Sequence, residues 1–145
     1  TGALFPRMTA LINKDKAEAK KIYNQCLLIL TISMVPICLS LIVFSELILN
    51  LWMGEEFSKS SWMVFSILAI GIFLNSIAYL PFVTLQAEGG AKKTALIHLS
   101  ELIFYIPLFV IFINFWGIVG AALAWMLRVG VDCLLLMLAT RKIWI

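Results

Sequence analysis

Apolar residues fill this chain in four long runs broken by short polar stretches, and that alternation is its main structural signal. The first run covers about 22–49 and contains Pro36, where a helix is expected to kink. The second covers about 62–86, bounded by "GEEFSKSS" and "EGGAKK", and carries Pro81 near its end. The third, about 94–113, and the fourth, about 118–139, are separated only by "NFWG", which predicts a tight helical hairpin. Each run is long enough for a helix to cross the hydrocarbon core, which takes about 20 residues. The expected fold is an all-α membrane protein with four transmembrane helices within 22–142. Residues 1–21 are expected to hold the end of a preceding span and then a basic segment. Its sequence at 7–21, "RMTALINKDKAEAKK", suits an interfacial or cytoplasmic helix better than a fifth span.

Composition supports the choice of solvent. The chain is 63% hydrophobic and 13% charged, with a mean hydropathy of +1.04. Soluble domains are about 45–50% apolar and about 25% charged, so lipid rather than water is the medium here. At 145 residues there is room for a few spans, and the expectation is a piece of a larger transporter. The cysteines Cys26, Cys38 and Cys133 lie unpaired inside apolar runs and only one histidine is present, which argues against a disulfide framework or a zinc site.

Charge sets the orientation. Arg7, Lys14, Lys16, Lys20, Lys21, Lys92, Lys93, Arg141 and Lys142 fall on one side of the four spans and Lys59 alone on the other. Basic residues concentrate in cytoplasmic loops, so the spans start and end in the cytoplasm. Trp52, Phe57, Trp62 and Trp116 then lie at the outer interface, where amphipathic aromatics are favoured.

Polar residues inside the runs are the candidate chemistry. On the fourth, Gly117, Ala121, Ala124, Arg128 and Asp132 recur at steps of three or four, giving one small and charged face. On the third, Thr94, His98, Glu101 and Tyr105 follow the same spacing, and on the second Gly71, Asn75, Tyr79 and Gln86 form a further stripe. Glu101 lies eight residues from Lys93 and Asp132 nine from Arg141, so both sit about 12–13 Å inside the cytoplasmic end. A charge at the bilayer centre costs about 2.5–3.5 kcal/mol on insertion scales, and such residues face a bundle interior or a wet cavity. Two readings stay open: Arg128 and Asp132 neutralise each other as an i, i+4 pair fastening helices, or Arg128 faces a cavity that an anion enters. Arg128, Asn75, Tyr79 and Tyr105 stand as substrate-cavity candidates; Glu101, Asp132 and His98 stand as ion-coupling candidates. Asn75 and Tyr79 also suit interhelical hydrogen bonds. No metal-ligand cluster, nucleophile and base pair, cofactor motif or nucleic-acid motif is evident, and the glycines of "EGGAKK" lack a phosphate-loop context, so an enzyme is not expected.

The stretches "LQAEGGAKKTALIHLSEL" at 85–102, "YIPL" at 105–108 and "GIVGAALAWMLRVGVD" at 117–132 carry a resemblance. Over about residues 3–142 the chain resembles the C-terminal part of the oligosaccharide flippases of the multidrug/oligosaccharidyl-lipid/polysaccharide exporter superfamily. The resemblance implies two pseudo-symmetric helical bundles around a central cavity, with these four spans in the second bundle. It implies a multi-pass protein of the bacterial inner membrane that moves undecaprenyl-pyrophosphate-linked repeat units outward for O-antigen, capsule or exopolysaccharide synthesis. The partners it implies are the lipid-linked oligosaccharide, membrane lipids, the N-terminal bundle, and polysaccharide polymerase or glycosyltransferases. A guanidinium such as Arg128 suits a pyrophosphate, because its planar fork binds phosphate oxygens in pairs and keeps its charge. Two alternatives remain: a multidrug or organic-cation antiporter of the same fold using Glu101 and Asp132, and a non-transporting scaffold for polysaccharide assembly that recruits partners through 7–21.

Overall fold

The structure, a computed structural model, describes residues 4–144. These form five helices: α1 Leu4–Lys14, α2 Lys16–Val43, α3 Ser45–Met53, α4 Glu55–Ala87 and α5 Ala91–Arg141. No strand occurs among the described residues.

Local chemistry sets the breaks. Asp15 takes an extended conformation and accepts from the backbone N–H groups of Ala17 and Glu18, so α2 starts with a side-chain cap. Residues 7–21 are therefore two helices rather than one. In α1, Met8 and Ile12 are buried one turn apart and α1 packs on α2 and α4, which makes it an amphipathic helix held by the bundle. The run expected at 22–49 is also divided. Phe44 leaves helical geometry and its N–H returns to the Ser40 carbonyl, after which the short α3 begins. Gly54 ends α3 at φ +89°, a conformation that a side chain would strain. The polar stretch "GEEFSKSS" that bounds the second run is Gly54 and the opening turns of α4. There the Ser58 hydroxyl donates to the Glu46 carbonyl at 2.7 Å and ties α3 to α4.

Three helices, α2, α4 and α5, are long and apolar enough to cross a membrane, one fewer than the four spans expected. The physical reason is α5, whose 51 residues contain both the third and fourth runs. Gly117, at φ 57° and ψ −135°, is non-helical, and there the helix doubles back into two arms, residues 91–116 and 118–141. A single residue makes the hairpin, so the turn is tighter than the four-residue "NFWG" suggested.

α4 is the hub and touches each of the other four helices. The core lies at one end, where Met8 and Ile12 of α1, Ala19 and Tyr23 of α2, Leu85 and Ala87 of α4, and Cys133 and Leu136 of α5 pack together. The helix ends gathered there carry Lys16, Lys20, Lys21, Lys92, Lys93, Arg141 and Lys142. Elsewhere the spans turn apolar faces outward: the most apolar stretch of α5 has no buried residue and that of α2 almost none. In hydrocarbon such faces need no cover.

Candidate functional site

The site is built by the α5 hairpin. Besides Gly117, Gly120 is required, because a methyl group there would collide with the Phe112 carbonyl oxygen across the turn. Small residues thus let the two arms close on each other. Antiparallel arms in this register bring His98 opposite Asp132 and Glu101 opposite Arg128.

The result is a charged seam. His98 Nδ1 lies 3.2 Å from Asp132 Oδ1 and 3.8 Å from Glu101 Oε2, and Arg128 Nε lies 3.9 Å from the same Glu101 oxygen. The Arg128 guanidinium stands 5.4 Å from the centroid of the Tyr105 ring. Glu101 is buried, with its side chain only 3% exposed, whereas His98 and Arg128 are each about a third open. Arg128 does not pair with Asp132. Each i, i+4 neighbour instead has its nearest opposite charge on the opposite arm. His98 Nδ1, the Glu101 oxygens, Arg128 Nε and Asp132 Oδ1 do not meet hydrogen-bond geometry as ion pairs, but the Glu101 and Asp132 carboxyls lie close enough to share a proton in a hydrogen bond. Buried polar atoms are ordinarily bonded, so charged groups gathered inside the bundle mark this as the candidate site.

Two recesses flank the seam. One, of about 430 Å³, lies between α4 and the hairpin and is lined by Asn75, Ser76, Tyr79 and Phe82 of α4 with His98 and Asp132. The other, of about 300 Å³, is lined by Tyr105 and Arg128 with Glu101, Phe104 and Leu127. The four substrate-cavity candidates therefore do not share one cavity: Asn75 and Tyr79 face the first recess, Arg128 and Tyr105 the second. Helical spacing gives the stripe on each helix but not which neighbour the stripe meets. Phe82 was missed, although it continues the Asn75, Tyr79 stripe by one turn; its ring lies 5.8 Å from that of His98. Gly71 of that stripe is packed under Trp125 of the second arm, and Gln86 is half-buried.

No metal-ligand grouping was expected, yet the fold builds one. His98, Glu101 and Asp132 offer ligand atoms that all lie within 4.8 Å of one another. Sequence spacing could not show this, because Asp132 reaches the other two only through the hairpin. Zinc bonds place tetrahedral ligands about 3.4 Å apart. Two of the three pairs, at 3.2 and 3.8 Å, come near that spacing, while the guanidinium of Arg128 beside Glu101 sets a permanent positive charge against a divalent ion there.

The pattern of one protein family, described as MatE, matches residues 7–111. The chain is 38% identical over 134 residues to a Shigella flexneri protein named "Putative O-antigen transporter", an alignment covering 92% of this chain and 32% of that protein. The chain thus spans about a third of that relative's length, and an alignment of this extent takes in both arms of α5. No solved structure matches the chain.

Proposed function

The chain belongs to the MatE family, and on that premise we propose that it is a segment of a membrane transporter that flips lipid-linked oligosaccharide repeat units. The substrate is an undecaprenyl-pyrophosphate-linked oligosaccharide, carried across the bacterial inner membrane for O-antigen, capsule or exopolysaccharide synthesis. The Shigella flexneri relative, named for O-antigen transport, supports this substrate class.

Arg128 is the observation that carries the reading. Its guanidinium is set by the Tyr105 ring and held 3.9 Å from Glu101 without a hydrogen bond to it. It opens on a largely apolar recess. A permanent cation with free donors in a low-dielectric setting is what a pyrophosphate would seek and a cationic drug would avoid. Glu101, Asp132 and His98 are the coupling groups of this proposal. Two carboxylates face one permanent cation, so a single bound proton balances the seam, and its release during the cycle would drive the charge rearrangement. The remaining bundle of the transporter completes the sugar-binding surface, and polymerase or glycosyltransferases are its partners in synthesis.

The excess carboxylate supports a second reading, exchange of an organic cation for a proton at Glu101 and Asp132. Deleting the gene distinguishes the two. The flippase reading expects loss of surface glycan with lipid-linked oligosaccharide accumulating in the inner leaflet, and unchanged efflux of a cationic dye. Normal surface glycan together with impaired dye efflux would replace it with the second reading.

A further inference from the structure

We propose that a third cavity, at the basic end between the start of α2 and the end of α5, is a binding site for the phosphate head group of an anionic phospholipid. The cavity measures about 310 Å³. Lys20 of α2 and Arg141 of α5 bring two cations to it from different helices, and Asn24 adds a polar group to the lining. Neither cation has an ion-pair partner among the described residues. The nearby carboxylate of Asp15 is engaged with the first backbone N–H groups of α2 and does not serve Lys20.

Depth argues for a lipid rather than a soluble anion. Along α2 the lining passes from Lys20 through Asn24 to Leu27, and along α5 from Arg141 to Met137. The wall therefore changes from charged to apolar over about 10 Å on α2, as a head group changes to an acyl chain. Tyr23 and Trp144 stand at this transition with ring centroids 5.7 Å apart, the position amphipathic aromatics take at a membrane surface. Both faces belong to the packed end of the molecule, where Tyr23 and Ile143 are core residues, so the cavity is preformed. A basic pocket between transmembrane helices at the cytoplasmic level is the usual form of such a lipid site. The inference is independent of the transport reading, since it uses none of the seam residues.

The intact chain, purified in an uncharged detergent, tests this by native mass spectrometry with phosphatidylglycerol and phosphatidylcholine as probes. Retention of phosphatidylglycerol over phosphatidylcholine is expected. The double variant Lys20→Gln with Arg141→Gln should weaken it about thirtyfold, the effect of two basic groups at a membrane surface. Lys20→Arg should keep it. The double variant Lys92→Gln with Lys93→Gln removes the same charge at the same end outside the cavity and should change retention less than threefold. Equal loss in both double variants would mean a general surface field and overturn the site. Displacement of the lipid by inorganic pyrophosphate at equal concentration would assign the cavity to a soluble phosphate and overturn the lipid as its occupant. A wild-type chain that retains both lipids equally would also overturn it.

Discussion

The basic end and the charged seam farther along the α5 hairpin bury their polar groups in different ways. At the basic end Met8, Leu85 and Leu136 are almost wholly enclosed, and the buried hydroxyls of Thr84, Thr94 and Thr140 each donate to a backbone carbonyl. One buried donor at that end, the indole Nε1 of Trp144, is left without a hydrogen bond. In the hairpin Phe104, Ile103 and Leu134 point outward, while four titratable or charged side chains turn inward and leave buried atoms without hydrogen bonds. Of the six buried side-chain polar atoms without a hydrogen bond among the described residues, five belong to the seam.

The contrast breaks most completely at the turn. Gly120→Val forces a branched side chain into the Phe112 carbonyl and should separate the arms. The expected result is a loss of most folded protein from the membrane fraction, whereas Ala95→Val, on an exposed position of the first arm, should leave abundance near wild type. Equal abundance of the two variants would mean that the arms do not close as described.

A smaller effect separates the pairings within the seam. Arg128→Leu leaves Glu101 buried beside Asp132 with no permanent cation, and a lone buried charge is worse than none. With Arg128 a third exposed, the destabilisation should be about 1–3 kcal/mol, read as a lower thermal midpoint in detergent. Adding Glu101→Gln should recover most of that loss and adding Asp132→Asn should recover less, since Glu101 is the carboxylate nearest Arg128. Better recovery with Asp132→Asn would restore the i, i+4 pairing.

At the packed end the corresponding perturbation is milder. The Thr140 hydroxyl lies 2.8 Å from the Leu136 carbonyl and 3.2 Å from that of Pro81, so it fastens the second arm to α4. Thr140→Val keeps the shape and removes the donor, which should cost about 1 kcal/mol. A loss as large as that of Arg128→Leu would mean the two regions are not different in kind.

Labelling of single cysteines checks the orientation with no energetic effect at all. Cysteines at Lys92 and Lys142 should be protected from an impermeant thiol reagent outside intact spheroplasts, and one at Lys59 should react. Ser58, its neighbour, would be a poor reporter because it is 1% exposed. Reaction at Lys92 with protection at Lys59 would invert the topology.

Much of this fold can be read from the chain because lipid leaves few choices. Apolar runs must become helices, and the interruption at 114–117 had to be a turn. The polar residues at steps of three and four on each run pointed to the seam, and His98, Glu101, Arg128 and Asp132 do meet. The breaks at Phe44 and Asp15 were not legible: neither carries the glycine or proline that announces a stop, and Asp15 reads as one more polar residue in a polar stretch. Pairing across the hairpin was hidden as well. Sequence spacing ranks Asp132 as the natural partner of Arg128, but the rotation of the arms about their axes decides which carboxylate comes near, and no periodicity along one strand of sequence encodes it. For the same reason helical spacing places Asn75 and Tyr79 with Arg128, although the seam itself stands between them.

The central claim is that Arg128 recognises the pyrophosphate rather than merely fastening Glu101. The most direct test is the affinity of the purified intact chain for undecaprenyl pyrophosphate, measured for wild type, Arg128→Lys, and the double variant Arg128→Leu with Glu101→Leu. Removing Glu101 takes away a negative charge and cannot by itself weaken an anion, so any loss in the double variant belongs to Arg128. The account predicts a loss of about tenfold to a hundredfold in the double variant, as expected for a charge-assisted pair of hydrogen bonds, and partial retention in Arg128→Lys. Unchanged affinity in a well-folded double variant would contradict it and leave Arg128 as a structural cation of the hairpin.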